Sequence, residues 1–402
     1  MELCQPAPLG PAGSSETGGR AISDRKTPRK SRSDGRPTIA HVAARAGVGA
    51  ITVSRALRNP ELVSEALRKN IDDAVHALNY VPNLNASALA SRRSDTVGVL
   101  LPSLTHMVFT DVLRGIYDGI DGTKLQVQLG NTRYNAQEEE RLIAQILRHK
   151  PAAMIVSGIE QTAKSRRMLE TAGCPVVQIM DLTGDPIDQI IGFSHEAAGR
   201  RMTEHLIAMG YRRIAFLSGW VSERSSGRLR GFRQAVAAAD LDAAARAISV
   251  FDTGMDAKMR AMAPAPTPPM HDYTSAEIGR VLFSHAIATD PGIDAVFCNN
   301  DALALGVLFE CTHRGIRVPE DLGIAGFNDL DFMAAAEPSL STVRTHRYRI
   351  GHAAVTAIRA KLTGEAAGPR IIDIGFEVMM RRSTERAFDF VEENKRKQVI
   401  LS

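Results

Sequence analysis

Four cysteines, Cys4, Cys174, Cys298 and Cys311, are scattered through the 402 residues without any C-x-x-C pair. That spacing argues against a disulfide framework and against a zinc site, and leaves them as small core residues or free thiols. Long apolar runs are also missing: stretches such as Ala152 to Val156 fall far short of the roughly 20 residues that span a bilayer, so no membrane partner is expected. Residues 1–19 are rich in Pro, Gly and Ser but lack the basic start and apolar centre of a secretory leader, so a cytoplasmic protein is expected. Catalytic and cofactor signatures are absent as well. There is no G-x-G-x-x-G, no G-x-x-x-x-G-K, no G-x-S-x-G and no H-E-x-x-H, since His195-Glu196 is followed by Ala-Ala-Gly. An enzyme would therefore want for a nucleophile, a metal and a cofactor loop, and neither cofactor nor metal is expected.

What is present is an ordinary folded composition, 44% hydrophobic and 23% charged, which excludes disorder of the whole chain. At about 150 residues per domain the length implies two or three domains. The net charge of +4 is unevenly placed: residues 20–95 hold fourteen Lys or Arg against seven Asp or Glu, whereas residues 96–402 are close to neutral. A short basic segment on a near-neutral body is the footprint of a phosphate-binding module. Taken alone, Arg20 to Arg36 reads as a solvated basic tail.

Beyond that tail the pattern turns helical. Thr38 can cap a helix whose Ile39, Val42, Ala43 and Ala46 share one face, and Gly47 ends it in a position suited to positive φ. A second helix is predicted from about Ala50 to Leu57, with Ala50, Val53 and Leu57 inward and Asn59-Pro60 as its stop. A third starts at Ser64 and turns Leu67, Ile71, Ala74, Val75 and Leu78 inward. Three short helices with a turn at Gly47, Val48 and Gly49 make a helix-turn-helix. Outward residues of the second helix, Ile51, Thr52, Ser54 and Arg55, combine hydroxyls, an apolar side chain and a guanidinium, which suits phosphates, thymine methyls and guanine edges in a major groove.

From Thr96 onward short β runs alternate with helical stretches: Val97 to Leu101, Leu125 to Leu129, Ala153 to Ser157, Val176 to Met180, Ile214 to Ser218, Ala295 to Cys298 and Gly323 to Gly326. Alternation of this kind means parallel sheets with helices on both faces. Ile190 to Phe193 and Ile214 to Ser218 bracket a change from one sheet to another, so two doubly wound lobes should face each other, with ligand groups at the carboxyl ends of strands.

The run from Pro37 to Arg55 resembles the amino-terminal signature of the LacI/GalR family of transcriptional repressors. Leu57-Arg-Asn-Pro-Glu-Leu-Val-Ser64, Leu78-Asn-Tyr-Val-Pro-Asn83 and Ser87-Ala-Leu89 continue the likeness in order, and it extends over residues 36–385. Two departures are His41, where the first helix usually has Asp, and Gly49, where Ser or Thr commonly caps the second. The resemblance implies a helix-turn-helix DNA-binding domain over 36–82, a hinge helix and linker over 83–94, and a periplasmic-binding-protein-like core over 95–386. In that core one lobe takes about 95–193 and 347–373 and the other about 194–346 and 374–386, with tails at 1–35 and 387–402. It also implies DNA contacts by Thr38, Ala50, Ile51, Thr52, Ser54, Arg55, Asn59, Tyr80, Asn83 and Ser87, and a minor-groove wedge at Leu89. A family Arg near the wedge is Ser87 here. An isolated hinge helix of about two turns is marginal in water, so it would order only against a partner.

For the core, the resemblance implies effector contacts by Phe109, Arg228, Asn300, Asn328 and Thr345. By themselves Asp301 reads as a cap for a helix starting at Ala302 and Asp329 as a turn cap. Asn328 stands where sugar-binding relatives often carry Asp; an amide keeps hydrogen bonds to hydroxyls while removing a charge that would repel an anion. Leu100-Leu-Pro-Ser-Leu-Thr105, Cys174 to Asp181 and Val296 to Asp301 resemble the branch of gluconate-utilisation repressors. The implied function is a repressor of sugar-acid (gluconate or ketogluconate) catabolism genes. It would act as a homodimer, or a dimer of dimers, on a palindromic double-stranded operator in the nucleoid, and a sugar-acid effector would release it. A ligand acting as corepressor, a neutral or phosphorylated sugar as effector, and a sugar-acid enzyme with a basic accessory module stay open as alternatives. The segments 1–35 and 255–270 receive no role.

Overall fold

The computed structural model of the chain describes residues 37–81, 94–219, 222–241, 245–249, 275–366 and 368–386. The described residues divide into two compact units, 37–81 and 94–386.

In the first unit, α1 (Ile39–Ala46), α2 (Ala50–Arg58) and α3 (Glu65–Ala77) surround Val42, Val53 and Ile71, each wholly buried. Burying each such side chain contributes about 1.5–3 kcal/mol, which three short helices need because none is long enough to be stable alone. Gly47 at φ 67 ends α1 in the left-handed region, where Val48 N donates to Ala43 O at 3.0 Å and turns the chain into α2. Asn70 Nδ2 closes the same end by donating to Ala46 O at 2.9 Å. Two expectations change. Ala50 is exposed rather than inward, and Ala56, one helical turn beyond Val53, takes the core position instead. His41 substitutes for the expected acid in function as well as place: its Nδ1 accepts the Thr38 amide at 3.1 Å, satisfying a donor that the helix start leaves open.

In the second unit β1 (Thr96–Leu101), β2 (Gln126–Asn131), β3 (Ala153–Ser157), β4 (Val176–Ile179), β5 (Gln189–Gly192) and β11 (Ile371–Asp373) form a parallel sheet ordered β11-β5-β4-β3-β1-β2. A second parallel sheet is ordered β7-β6-β8-β9, from β6 (Ile214–Ser218), β7 (Arg246–Ser249), β8 (Ala295–Cys298) and β9 (Gly323–Ala325). Central strands such as β3, β6 and β8 read as largely apolar runs because helices cover both faces, whereas the edge strand β2 alternates and is half-exposed. The chain passes between the sheets three times: after β5, after β10 (Thr342–Arg344) and between β11 and β12 (Glu377–Met379). Here β10 and β12 pair antiparallel, and Ser383 Oγ at the chain's return donates to Ile324 O at 2.6 Å.

Close helix crossings set the position of the lobes' side chains. α7 (His195–Ala208) and α8 (Glu223–Ala238) meet through Gly199 and Gly231; a Cβ on Gly199 would lie against Arg228 O, and one on Gly231 against Glu196 O, inside van der Waals contact. Only a missing side chain lets the two backbones approach this closely, and it brings His195 and Arg228 face to face. α4 (Val108–Ile120) and α12 (Arg347–Thr363) cross in the same way through Gly115 and Gly351.

Candidate functional site

The ends of β1, β2 and β4 in one lobe and of β8 and β9 in the other converge, with the first turns of α4, α7 and α8, on a cleft of about 250 Å3. This is where a doubly wound sheet exposes loop residues to a ligand. Arg228 lies at its base, 7% exposed, with its guanidinium carbon 3.7 Å from the centroid of the Phe327 ring. Its Nε donates to His195 Nδ1 at 3.2 Å and its Nη1 to Asn299 Oδ1 at 3.1 Å. Among the described residues no carboxylate pairs with it. Burial, with Arg224 next to it, pushes its pKa down to about 9, so it stays charged at neutral pH.

One turn earlier on α8, Arg224 is 15% exposed and crosses to the other lobe: Nε donates to Asp181 Oδ2 at 2.7 Å and Nη2 to Ser157 Oγ at 2.9 Å. Ser222 caps α8, its Oγ accepting from Ser225 N at 3.3 Å, and so fixes the turn that carries Arg224. His195 completes the base. Burial first, then the charges of Arg228 and Arg224, hold its pKa well below the usual value. It is therefore neutral, with Nδ1 accepting from Arg228 and Nε2–H donating to Met180 O at 3.0 Å.

A pH dependence follows from this. The unfolded chain takes up a proton on His195 near pH 6.5 while the folded one refuses it. Stability is then lost as pH falls below that value, at about 1.4 kcal/mol per unit until the folded pKa is reached. Asp301, pushed up to about 6 by burial, acts in the opposite sense at lower pH. The difference between wild type and His195→Asn isolates the histidine: thermal midpoints measured at about pH 7.5 and about pH 5.5 should fall more steeply in the wild type.

The other expected effector residues are distributed unevenly. Phe109 is 1% exposed and lines the cleft, as do Asn300 and Asn328. Asn300 also caps α10 (Asp301–Arg314), its Oδ1 accepting from Leu303 N at 3.0 Å. That corrects the capping assignment: Asp301 is the first residue of the helix, fully buried, accepting from Thr342 Oγ1 at 2.6 Å and Leu330 N at 2.7 Å. Asn328, at φ 120, presents to the cleft an amide side chain that bonds to no other residue among the described ones, while its carbonyl accepts from Arg347 Nη1. Thr345 is fully buried and does not line the cleft. Asp329 caps no turn; Arg344 and Arg381 clamp it, each at 2.7 Å.

Sequence reasoning missed Arg224, His195, Asp181, Asn299 and Tyr134. The i, i+4 spacing of Arg224 and Arg228 after a capping serine was a usable signal for the first. His195 and Asp181 follow strands directly, a position that marks them only once the strand ends are known.

In the first unit Ile51 is 78% exposed, Ala50, Arg55 and Asn59 are exposed, and Thr38, Thr52 and Ser54 are half-buried. Ile51 and Arg55 lie one turn apart on one face of α2. Tyr80 packs partly against the helical core. Asn83, Ser87 and Leu89, with the whole expected hinge helix and the 255–270 insertion, lie outside the described residues. Among the described residues no helix is long and apolar enough to cross a membrane, and no cluster of acidic, His and Cys side chains is placed to hold a metal.

A helix-turn-helix and a two-lobed, periplasmic-binding-protein-like unit in one chain are the parts of a DNA-binding regulator. Residues 38–83 match the model of bacterial regulatory proteins of the lacI family, residues 94–265 the periplasmic binding proteins and sugar binding domain of the LacI family, and residues 203–384 a periplasmic binding protein-like domain. The HTH-type transcriptional regulator GntR of Pseudomonas aeruginosa is 38% identical over 90% of this chain and all of its own, and GntR of Escherichia coli K12 is 37% identical over 85% and 96%. Among solved structures, a LacI-family regulator from Silicibacter pomeroyi superposes with TM-score 0.77 at 32% identity, covering 87% of this chain and all of its own. The transcription regulator GntR from Chromobacterium violaceum gives 0.64 at 38%, covering 72% and 99%. The chain belongs to the LacI family; it is a transcriptional regulator that binds DNA, and not an enzyme.

Proposed function

We propose that this regulator represses sugar-acid catabolism genes, binds a palindromic operator as a homodimer, and leaves it when gluconate or a related sugar acid occupies the cleft. Residues 36–82 would read the DNA, 83–94 form the hinge with its Leu89 wedge, and 95–386 bind effector and dimerise. The observation that carries the acidic effector is Arg228: a buried, charged guanidinium whose neighbours are an imidazole, an amide and an aromatic face. Burying a charge without an opposite one is costly, and a ligand carboxylate would supply the missing partner through a bidentate pair. The unengaged amide of Asn328 suits hydroxyls on the same ligand. That the relatives are named HTH-type transcriptional regulators supports the DNA-binding part of this reading.

A gel-shift titration of operator DNA with and without gluconate tests it: repression with release requires the shifted band to fade as gluconate is added. A band that strengthens would make the ligand a corepressor, and one indifferent to gluconate but sensitive to glucose would remove the acid. In the same assay Arg55→Ala should lose about 1–3 kcal/mol of discrimination at one operator position, since a bidentate Arg contact supplies that much. An unchanged ratio of operator to random-DNA binding would show that Arg55 reads no base.

A further inference from the structure

Beside the cleft lies a second chamber of about 270 Å3, sharing with it the wall of Tyr134, Ser222 and Arg224. The two have opposite character. On the cleft side Arg228 is the uncompensated cation, because Arg224 is already committed to Asp181 and His195 is neutral. On the chamber side stand two carboxylates, Glu139 on α5 (Ala136–Leu147) and Glu160 in the loop after β3. That loop is fixed: Glu160 Oε1 accepts from Glu223 N at 3.3 Å, and Gln178 Nε2 donates to Gln161 Oε1 at 2.9 Å.

We propose that the effector is a monoanion, and that Glu139 and Glu160 set this selectivity by receiving the hydroxyl-bearing end of the ligand and repelling any second anionic group. This rests on the acidic-effector reading above and names the class of acid: a polyhydroxy monocarboxylate, not a sugar diacid or a phosphorylated acid. Among the described residues the cleft has one Arg without a carboxylate partner, Arg228, so one ligand carboxylate neutralises it. A ligand anchored there and long enough to reach the shared wall brings its far end toward two groups that accept hydrogen bonds from hydroxyls but oppose a negative charge. Burial already pushes the Glu139 carboxyl up to about 7, the mark of a place where added negative charge is disfavoured.

Calorimetry at about pH 8, where Glu139 is ionised, decides the matter with gluconate, glucarate and glucose as probes. They are titrated into the wild type and into Glu139→Gln/Glu160→Gln, whose folding is checked by thermal unfolding. Wild type should bind glucarate at least about tenfold more weakly than gluconate, and the double variant should bind glucarate about tenfold more tightly than the wild type does. Should the double variant fail to fold, Glu160→Gln alone, at an exposed position, serves the same comparison. Glucarate binding as tightly as gluconate to the wild type, or unaffected by the substitutions, overturns the proposal while leaving an acidic effector in place. Glucose matching gluconate on the wild type is the separate result that removes the acidic effector itself.

Discussion

Replacing Arg228 by alanine is expected to raise the dissociation constant for gluconate by about one to two decades, because a charge-assisted bond in a partly closed site is worth roughly 1.5–3 kcal/mol. The guanidinium also serves its neighbours: without it His195 Nδ1 and Asn299 Oδ1 lose their donors and the face of Phe327 loses its cation. Part of the loss would therefore come from a site no longer held in shape, and Arg228→Lys separates the two contributions. A lysine keeps the charge but cannot bond to His195, Asn299 and a carboxylate through one rigid fork, so its affinity should lie between alanine and wild type. Calorimetry gives the affinities, and gel shift should show Arg228→Ala still bound to operator at gluconate levels that release the wild type. Wild-type affinity in Arg228→Ala would remove the carboxylate anchor.

A second large effect is expected far from any ligand atom. Gly231→Val should destabilise the second unit by about 1–3 kcal/mol or more, since the new side chain must displace the backbone of α7 at Glu196 rather than a flexible side chain. The same displacement separates α8 from α7 where Arg228 meets His195, so gluconate affinity should fall together with the thermal midpoint. Differential scanning calorimetry with and without ligand checks both. An unchanged midpoint would mean that the helices can move apart at little cost, and that their close crossing is not what aligns the pair.

Much of the architecture was legible because it rests on short-range signals. The α1 boundary followed from Thr38, the i, i+3, i+4, i+7 apolar set and Gly47, and the interior strands from short apolar runs such as those at 153–157 and 214–218. Strands with mixed or polar sequences, Arg246–Ser249, Thr342–Arg344 and Glu377–Met379, were not, because an edge or a two-stranded ribbon imposes no continuous apolar pattern. Arg228, Asn300 and Asn328 were found through family motifs, while Arg224, His195 and Asp181 were not, since their roles are relations between segments far apart in sequence. Arg224 and Asp181 are 43 positions apart, and only the folded chain makes them partners. Asp301 was misread for a related reason: a carboxylate at a helix start usually caps, but here the preceding Asn300 caps and Asp301 turns inward to Thr342 and Leu330.

The three passages of chain between the sheets limit how the halves of the second unit can move. Two of them run side by side as the hydrogen-bonded pair β10 and β12, with Asp329 clamped by Arg344 and Arg381 next to them. A paired ribbon resists stretching and sliding of its strands more than it resists torsion, so a twist of one lobe over the other is the motion this pair would oppose least. Displacement in a twist grows with distance from its axis. In such a twist the Arg344–Asp329–Arg381 cluster would move little, and the lobe surfaces furthest from it would move most.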